Sequence, residues 1–458
     1  MDTPDRHRVL LVLHSDVNSA EGGVENYVKW LMQSLHRQFL FYVLIPTRSD
    51  TGRSCGIQLL DAHLSLVEEL TFSRQIDADW ISESEREAYF SRLLHDRSID
   101  LVHFHHLFGH PLALLGLPAL QGVPAIVSAH DFYLICSHYH LEDKSGKYCG
   151  VDQNGLDNCD DCLWSCNRIL RGGQATRTDW INKFLDGIDR FHFPLNFVET
   201  WHRQILLPEL FSRKTEVRQL PTLCQSYLSN RDDDTSQPLR IAVPGNFIES
   251  KGSECVKEAI VLLKDENVVF QIHGSVSDEC RSHFENFANV TVVGGYSLSD
   301  VPNLLGNSDI SLHLSRVPET FSFTLSEAWA NNVVPIASDI GAFSERIEPG
   351  VDGFVVKPDS VTELVKLIYD LERDRSQLSR MRIVIGGKLH ESKNDHGRWL
   401  KRQYRQLIET GRIDRNQHVD GSSPPEKWAR RESRFGRILR MLPFVSEVLA
   451  IQRKTGLQ

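Results

Sequence analysis

Short, wholly apolar runs recur along this chain, separated by longer stretches whose apolar residues fall at helical spacing, and that alternation leaves few folds open. In the first half the runs are VLLVL (9–13), FLFYVLIP (39–46), IDLVHFH (99–105), PAIVSAHD (124–131) and DRFHFP (189–194), with helical stretches at 24–35 and 83–95. A second series follows: LRIAVPG (239–245), VVFQIHG (268–274), VTVVGG (290–295), ISLHLS (310–315) and VVPIASD (333–339), with helical spacing at 254–263, 361–389 and 399–408. Strands apolar along their whole length are covered on both faces, as in a parallel sheet wrapped by helices. The expectation is an α/β chain with two similar parallel sheets, one domain over 1–230 and the other over 238–410. The polar stretch SNRDDDTSQP (229–238) reads as the linker between them. Its acids, taken as a metal-binding motif, would suggest a different class of enzyme. No apolar strand end precedes them, however, and a new α/β series starts directly after.

Ligands of open parallel sheets bind beyond the C-terminal ends of the strands. In the first series HSDVNSAEGG leads from a strand into a helix, and Gly22 and Gly23 carry no side chains that would hold a phosphate away from the helix N-terminus. A simple helix-entry turn explains the glycines equally well. His103, His105 and His130 fall at strand ends, where each is either a ligand contact or a packed, hydrogen-bonded histidine. In the second series Pro244-Gly245-Asn246 with Lys251-Gly252 repeats the cradle, now with a cation for a diphosphate. The segment PETFSFTLSEAWANN (318–332) then runs from a loop into a helix expected to begin near Ser322. The N–H groups of Phe321, Ser322 and Phe323 are the donors of such a helix start. Glu319 lies ahead of it and Glu327 within it. Two carboxylates flanking a phosphate site suit ribose hydroxyls on one side and sugar hydroxyls on the other; the plain alternative is two acids that solvate a helix.

The Glu-x7-Glu block, with the downstream Ser338-Asp339-Ile340-Gly341, Glu345 and Asp352-Gly353, resembles the donor-site signature of family 4 of the retaining glycosyltransferases. The resemblance extends over roughly 8–45, 99–131 and 239–410. It implies a GT-B architecture: two facing Rossmann-like domains with parallel sheets, the first for the acceptor and the second for a nucleoside-diphosphate sugar. It also implies transfer with retention, His130 and Glu319 at the transferred sugar, Glu327 on the ribose, Lys251 on the diphosphate and Gly22-Gly23 on the phosphate side of the first domain. No metal is required for such catalysis. The sequence departs from the family where Asn246 stands for an arginine; Arg316 is a candidate substitute. Ser322 and Asn332 replace glycines, Ser as a helix cap and Asn in a left-handed backbone.

Five of nine cysteines, Cys136, Cys149, Cys159, Cys162 and Cys166, crowd an insertion at 136–166. Cys159-x2-Cys162 suggests a knuckle, and four of the five suffice for a structural zinc; a loop of thiols is the other reading. A net charge of -10 argues against nucleic acid, although the segment 421–458 is basic. There Trp428, Phe435, Ile438 and Leu439 share a helical face bordered by arginines. This is the pattern of a helical tail lying on an anionic membrane surface, or else docking on the protein itself. The N-terminus lacks a signal-peptide pattern, so the expected location is cytoplasmic, peripheral at the inner face of the membrane. The expected acceptor is a glycan, lipid-linked if the tail finds a membrane, in polysaccharide biosynthesis. The rivals are a non-catalytic membrane-associated protein of the same fold and a GT-B sugar-nucleotide epimerase.

Overall fold

The computed structural model of the protein describes residues 6–18, 22–77, 80–167, 169, 171–212, 214–226, 235–388 and 391–416. The chain divides into two compact units. The first takes Met1–Tyr139, Gly150–Arg218 and the chain from Asn394; the second takes His140–Cys149 and Gln219–Lys393.

The first unit is built on eight strands: β1 (His7–Val12), β2 (Phe39–Arg48), β3 (Ser54–Leu60), β4 (Leu66–Ile76), β5 (Leu101–Phe104), β6 (Ala125–Ser128), β7 (Arg190–Phe193) and β8 (Thr215–Val217). They lie in the order β4-β3-β2-β1-β5-β6-β7-β8. From β2 to β8 every pairing is parallel, whereas β3 and β4 add an antiparallel edge. This mixed edge corrects the expectation of a purely parallel sheet. β4, LVEELTFSRQI, is largely polar and exposed, so it offers no apolar run, and its charges guard a free sheet edge. The helix Gly23–Leu35 buries Tyr27, Val28, Leu31, Met32 and Leu35. The helix Ser84–Asp96 starts where the Glu83 carboxylate accepts from the N–H groups of Glu85 and Arg86.

The final helix, Lys393–Asn416, packs from Asn394 onward with the first unit, burying Trp399, Leu400, Tyr404 and Ile408. It therefore belongs to the first unit and not, as the sequence order suggests, to the end of the second domain.

The second unit has six strands: β9 (Leu239–Pro244), β10 (Val268–His273), β11 (Val290–Gly294), β12 (Ile310–His313), β13 (Val334–Ser338) and β14 (Phe354–Val356). All are parallel, in the order β11-β10-β9-β12-β13-β14. The order reverses between β9 and β12, which is where a sheet of this winding opens a crevice. The strands' apolar residues pack with Val256, Ala259 and Ile260 of the helix Ser253–Leu262 and with Leu364, Ile368 and Leu371 of the helix Val361–Arg373. The stretch 361–389 is two helices, not one. The chain breaks at Asp374, whose carboxylate accepts at 3.0 Å from the N–H of Ser376, the first residue of the second helix, Ser376–Gly387.

Most of the expected linker and all of the basic tail lie outside the described residues. Among the described residues, no helix is long and apolar enough to cross a membrane.

Candidate functional site

The second unit brings most of the expected donor residues to the C-terminal ends of β9, β10 and β12. The β9 and β10 exits approach at backbone distance. A Cβ at Gly274 would lie 2.0 Å from the Gly245 carbonyl oxygen, so only glycine fits. Asn246 follows, exposed, with Oδ1 accepting from Ser275 Oγ at 3.0 Å. Gly252, at φ +82, passes so close to β12's exit that a Cβ would meet the Leu314 carbonyl oxygen at 2.1 Å. That approach sets Lys251 beside Glu319, with Nζ 2.7 Å from Oε1; Ser315 Oγ donates to the same oxygen at 2.6 Å. Burial pushes the Glu319 carboxyl upward, but the Lys251 ammonium and these hydrogen bonds win and hold it at about 2. Glu319 is therefore an anion at any working pH, able to accept from a hydroxyl. Arg316 does not stand free as a substitute for the missing arginine: its guanidinium bridges Glu249 and Asp359.

The segment 318–322 is fixed from below by a residue that sequence reasoning missed, Arg346. Its guanidinium is buried, lies 3.9 Å from the Phe321 ring centre, and donates to the carbonyl oxygens of Phe321 and Ser322 and to Ser326 Oγ. In a trans peptide the C=O and the following N–H point opposite ways. Two carbonyls drawn toward Arg346 thus turn the N–H groups of Ser322 and Phe323 away from it. Among the described residues no backbone carbonyl takes the N–H groups of Phe321, Ser322 or Phe323. Gly341 closes the loop from the other side, since a Cβ there would sit 2.8 Å from Pro318 Cα; the next N–H, of Ala342, donates to the Glu319 carbonyl at 2.9 Å.

The helix Phe323–Ala330 begins directly after Ser322, but Ser322 does not cap it. It stands at φ +62 with its hydroxyl 3.2 Å from Thr324 Oγ1, so serine here carries the strain that a glycine avoids. Asn332 takes φ +57, as expected.

Glu327 sits in this helix with 6% exposure, and among the described residues its Oε2 has no hydrogen-bond partner. Burial raises its carboxyl to about 7, against a lowering hydrogen bond from the Tyr296 hydroxyl. A carboxylate bonded on one oxygen and open on the other can accept from a further hydroxyl.

The first unit places the remaining residues beyond β1, β5 and β6. Gly22 is explained locally: the space its Cβ would take is filled by Glu25, whose Oε2 would lie 2.3 Å away. This buried carboxylate accepts from Ser15 Oγ and has His14 Nε2 at 3.7 Å. His103 is a packed histidine, with Nδ1 2.6 Å from the Tyr404 hydroxyl and Nε2 2.8 Å from Ser128 Oγ. His130 is half-buried, with Nε2 3.0 Å from His105 Nδ1. Burial lowers it to about 4 despite Asp131 beside it, so it is neutral at pH 7.

Cys159, Cys162 and Cys166 lie on one helix, Cys159–Asn167, in place of the expected knuckle turn. Cys149 is counted with the second unit. Among the described residues no group of three or more His, Cys, Asp or Glu is arranged to hold a metal ion.

Two family models match the chain: Glycosyltransferase Family 4 over residues 21–209, and Glycosyl transferases group 1 over 231–386. The chain is a GT-B glycosyltransferase related to family 4. Solved structures show the same fold at low identity. HepE of Anabaena, in complex with UDP, is 14% identical with a TM-score of 0.58, covering 87% of this chain and 100% of its own. Sucrose-phosphate synthase of Thermosynechococcus elongatus is 15% identical with a TM-score of 0.58, covering 88% and 100%. The pneumococcal O-GlcNAc transferase GtfA, in complex with UDP and GlcNAc, is 11% identical with a TM-score of 0.56, covering 88% and 99%. No curated protein matches the sequence.

Proposed function

We propose that this glycosyltransferase moves a sugar from a nucleoside-diphosphate sugar to a glycan, with retention at the anomeric carbon. The carrying observation is Glu327: a nearly buried carboxylate with one open oxygen, on the helix whose entry loop turns free N–H groups outward. Bound there, a ribose would supply the missing hydrogen bond. The diphosphate would lie on the N–H groups of Ser322 and Phe323 with Lys251 as its cation, stabilising the departing charge. Glu319, held ionised, would take a hydroxyl of the transferred sugar; for His130, a neutral imidazole, the proposed catalytic role rests on the family resemblance. HepE and GtfA, crystallised with UDP, support this reading.

Calorimetry with UDP, GDP and TDP, followed by product analysis for the anomeric configuration, tests it; absence of binding by all three overturns the donor site. A non-catalytic protein is the reading favoured by one observation, the loss of a cation at Asn246 while Arg316 is engaged elsewhere. Nucleotide binding without turnover on any glycan would support it.

The acceptor is proposed to be lipid-linked, on the strength of the basic tail sequence. Each tail cation near an anionic leaflet contributes about 1 kcal/mol. Intact protein should sediment with anionic vesicles and protein ending at Asp420 should not; equal partitioning would remove the argument. For the cysteines the proposal is a structural zinc on four of the five, supported by their sequence spacing; elemental analysis of anaerobically prepared protein decides it.

A further inference from the structure

At the C-terminal edge of the first sheet, beyond the histidines just described, three aromatic residues gather around one carboxylate and one cation. Phe108, on the loop after β5, meets Tyr133 at 66° with ring centres 6.1 Å apart, and meets Tyr139 at 75° with centres 5.5 Å apart. Phe108 and Tyr139 are partly exposed. Asp131 stands among them. Its Oδ1 accepts from the Tyr133 N–H at 2.7 Å and its Oδ2 lies 2.6 Å from His106 Nε2. The Phe108 N–H donates to His106 Nδ1 at 2.9 Å, which fixes the ring with Nε2 toward the carboxylate. Burial would raise Asp131, but His106 and the backbone hydrogen bond keep it at about 2. It stays ionised, with its side chain 20% exposed and lone pairs to spare.

The cation is Arg48, at the end of β2. Its guanidinium lies over the Phe108 ring, 4.6 Å from the centre, and donates to the His14 carbonyl at 3.0 Å. Arginines elsewhere in the molecule meet carboxylates: Arg86 meets Glu83, Arg240 and Arg382 meet Asp309, and Arg316 meets two. Arg48 makes no ion pair among the described residues. It is an exposed guanidinium held in place by a ring and a carbonyl, which leaves further donors of its planar fork for an oxyanion.

Aromatic walls, a fixed carboxylate and an unneutralised guanidinium together match one kind of ligand. A pyranose has a C–H face for the rings and hydroxyls for the carboxylate; the guanidinium asks for a phosphate or carboxylate attached to it. We infer that this edge of the first sheet binds an acceptor pyranose carrying an oxyanion, with the ring against Phe108 and Tyr139, a hydroxyl on Asp131 and the oxyanion on Arg48. The inference rests on the reading of the chain as a transferase acting on a glycan, and it names the chemistry of that glycan.

The test uses the full chain with saturating nucleoside diphosphate and three probes: methyl glucoside, its 6-phosphate and methyl glucuronide. The wild type should bind at least one anionic probe about tenfold or more tighter than methyl glucoside; whether phosphate or glucuronate wins distinguishes the two sources of charge. Arg48→Gln should erase the preference while leaving weak binding of the neutral glucoside. Phe108→Ala should weaken all three probes. Nucleoside diphosphate affinity, measured in parallel, should be the same in all proteins. An anionic-to-neutral ratio near one in the wild type, or one unchanged in Arg48→Gln, overturns the inference. Failure of the nucleotide arm in the wild type instead overturns the donor-site reading.

Discussion

The exits of β1, β5 and β6 in the first unit and those of β9, β10 and β12 in the second stand at the same place in two related windings, yet they are electrostatically unlike. Apart from the Asp131 carboxylate, the first is dominated by neutral imidazoles: His103 and His105 are held well below their ordinary range by burial, His130 at about 4 and His192 at about 3. The second is built on charge: Glu319 fixed as an anion by Lys251, Arg346 under the loop, and Glu327 poised at about 7 by burial. A network of neutral hydrogen bonds keeps its geometry whatever charged group arrives beside it. A site of charged groups, by contrast, responds to the ligand it holds. The first suits positioning and the second suits stabilising a leaving group.

The contrast breaks most sharply at Glu319. Glu319→Ala should lower turnover by about a hundredfold or more while nucleoside diphosphate affinity stays within about twofold, if the residue holds the transferred sugar as proposed. Equal losses in both would move Glu319 to the nucleotide.

Glu327→Ala should weaken nucleoside diphosphate binding by ~1.5–3 kcal/mol, the worth of a hydrogen bond to a charged group. A ribose hydroxyl donating to Glu327 favours the ionised carboxylate, so wild-type affinity should rise with pH until about 7 and then level. Titration of the phosphate is shared with Glu327→Gln, so subtracting the variant's profile isolates this carboxyl; identical profiles would remove the ribose contact.

Stability should separate the two units in the opposite direction. A histidine depressed in the folded state contributes stability above its unfolded pKa near 6.5, lost as pH falls through the folded value. Among the described residues, seven such histidines lie in the first unit and two in the second. Glu87 in the first unit and Glu327 in the second are both raised to about 7, so the burial of each is costly near neutral pH and the cost is relieved toward pH 4 in both units, which leaves the histidines to separate them. Between pH 7 and 4 amide exchange should therefore accelerate first in β1, β5 and β6. In the same region Tyr404→Phe, which leaves His103 Nδ1 short of its partner, should cost about 1 kcal/mol in denaturant unfolding.

The smallest effect is expected at Tyr296, whose hydroxyl lowers the carboxyl of Glu327. Tyr296→Phe should move the pH at which nucleotide affinity levels upward by a few tenths of a unit. A downward shift would mean that the phenol favours the protonated acid.

The elements visible in the sequence were those whose physics is local. LRIAVP, VVFQIH and VPIAS are apolar throughout because both faces are covered, and each became a parallel strand. β4 is not legible because pairing at an exposed edge requires no apolar run, and β3, although mostly buried, has its apolar residues interrupted by Gly56 and Gln58. Glu319, Glu327 and Lys251 were conspicuous as charges at a strand-to-helix turn. Arg346 was not, since only the folded loop reveals which carbonyls it holds; the signal available was a cation within the same downstream block. Ser322 showed the limit of a propensity argument: serine suits a helix cap, but here the backbone dihedral decides, and the side chain bonds elsewhere.

Because Trp399 and Tyr404 complete the first unit although they follow the second, the order of synthesis and the order of folding differ. The long segment Gln219–Lys393 is almost a whole unit by itself and can close as soon as it leaves the ribosome. The N-terminal half must wait for it, with the sites that will receive Tyr404 on Phe39 and His103 still open. A chain that ends after residue 393 would thus carry a finished second unit tethered to an unfinished first one, a species with exposed apolar surface for chaperones to bind.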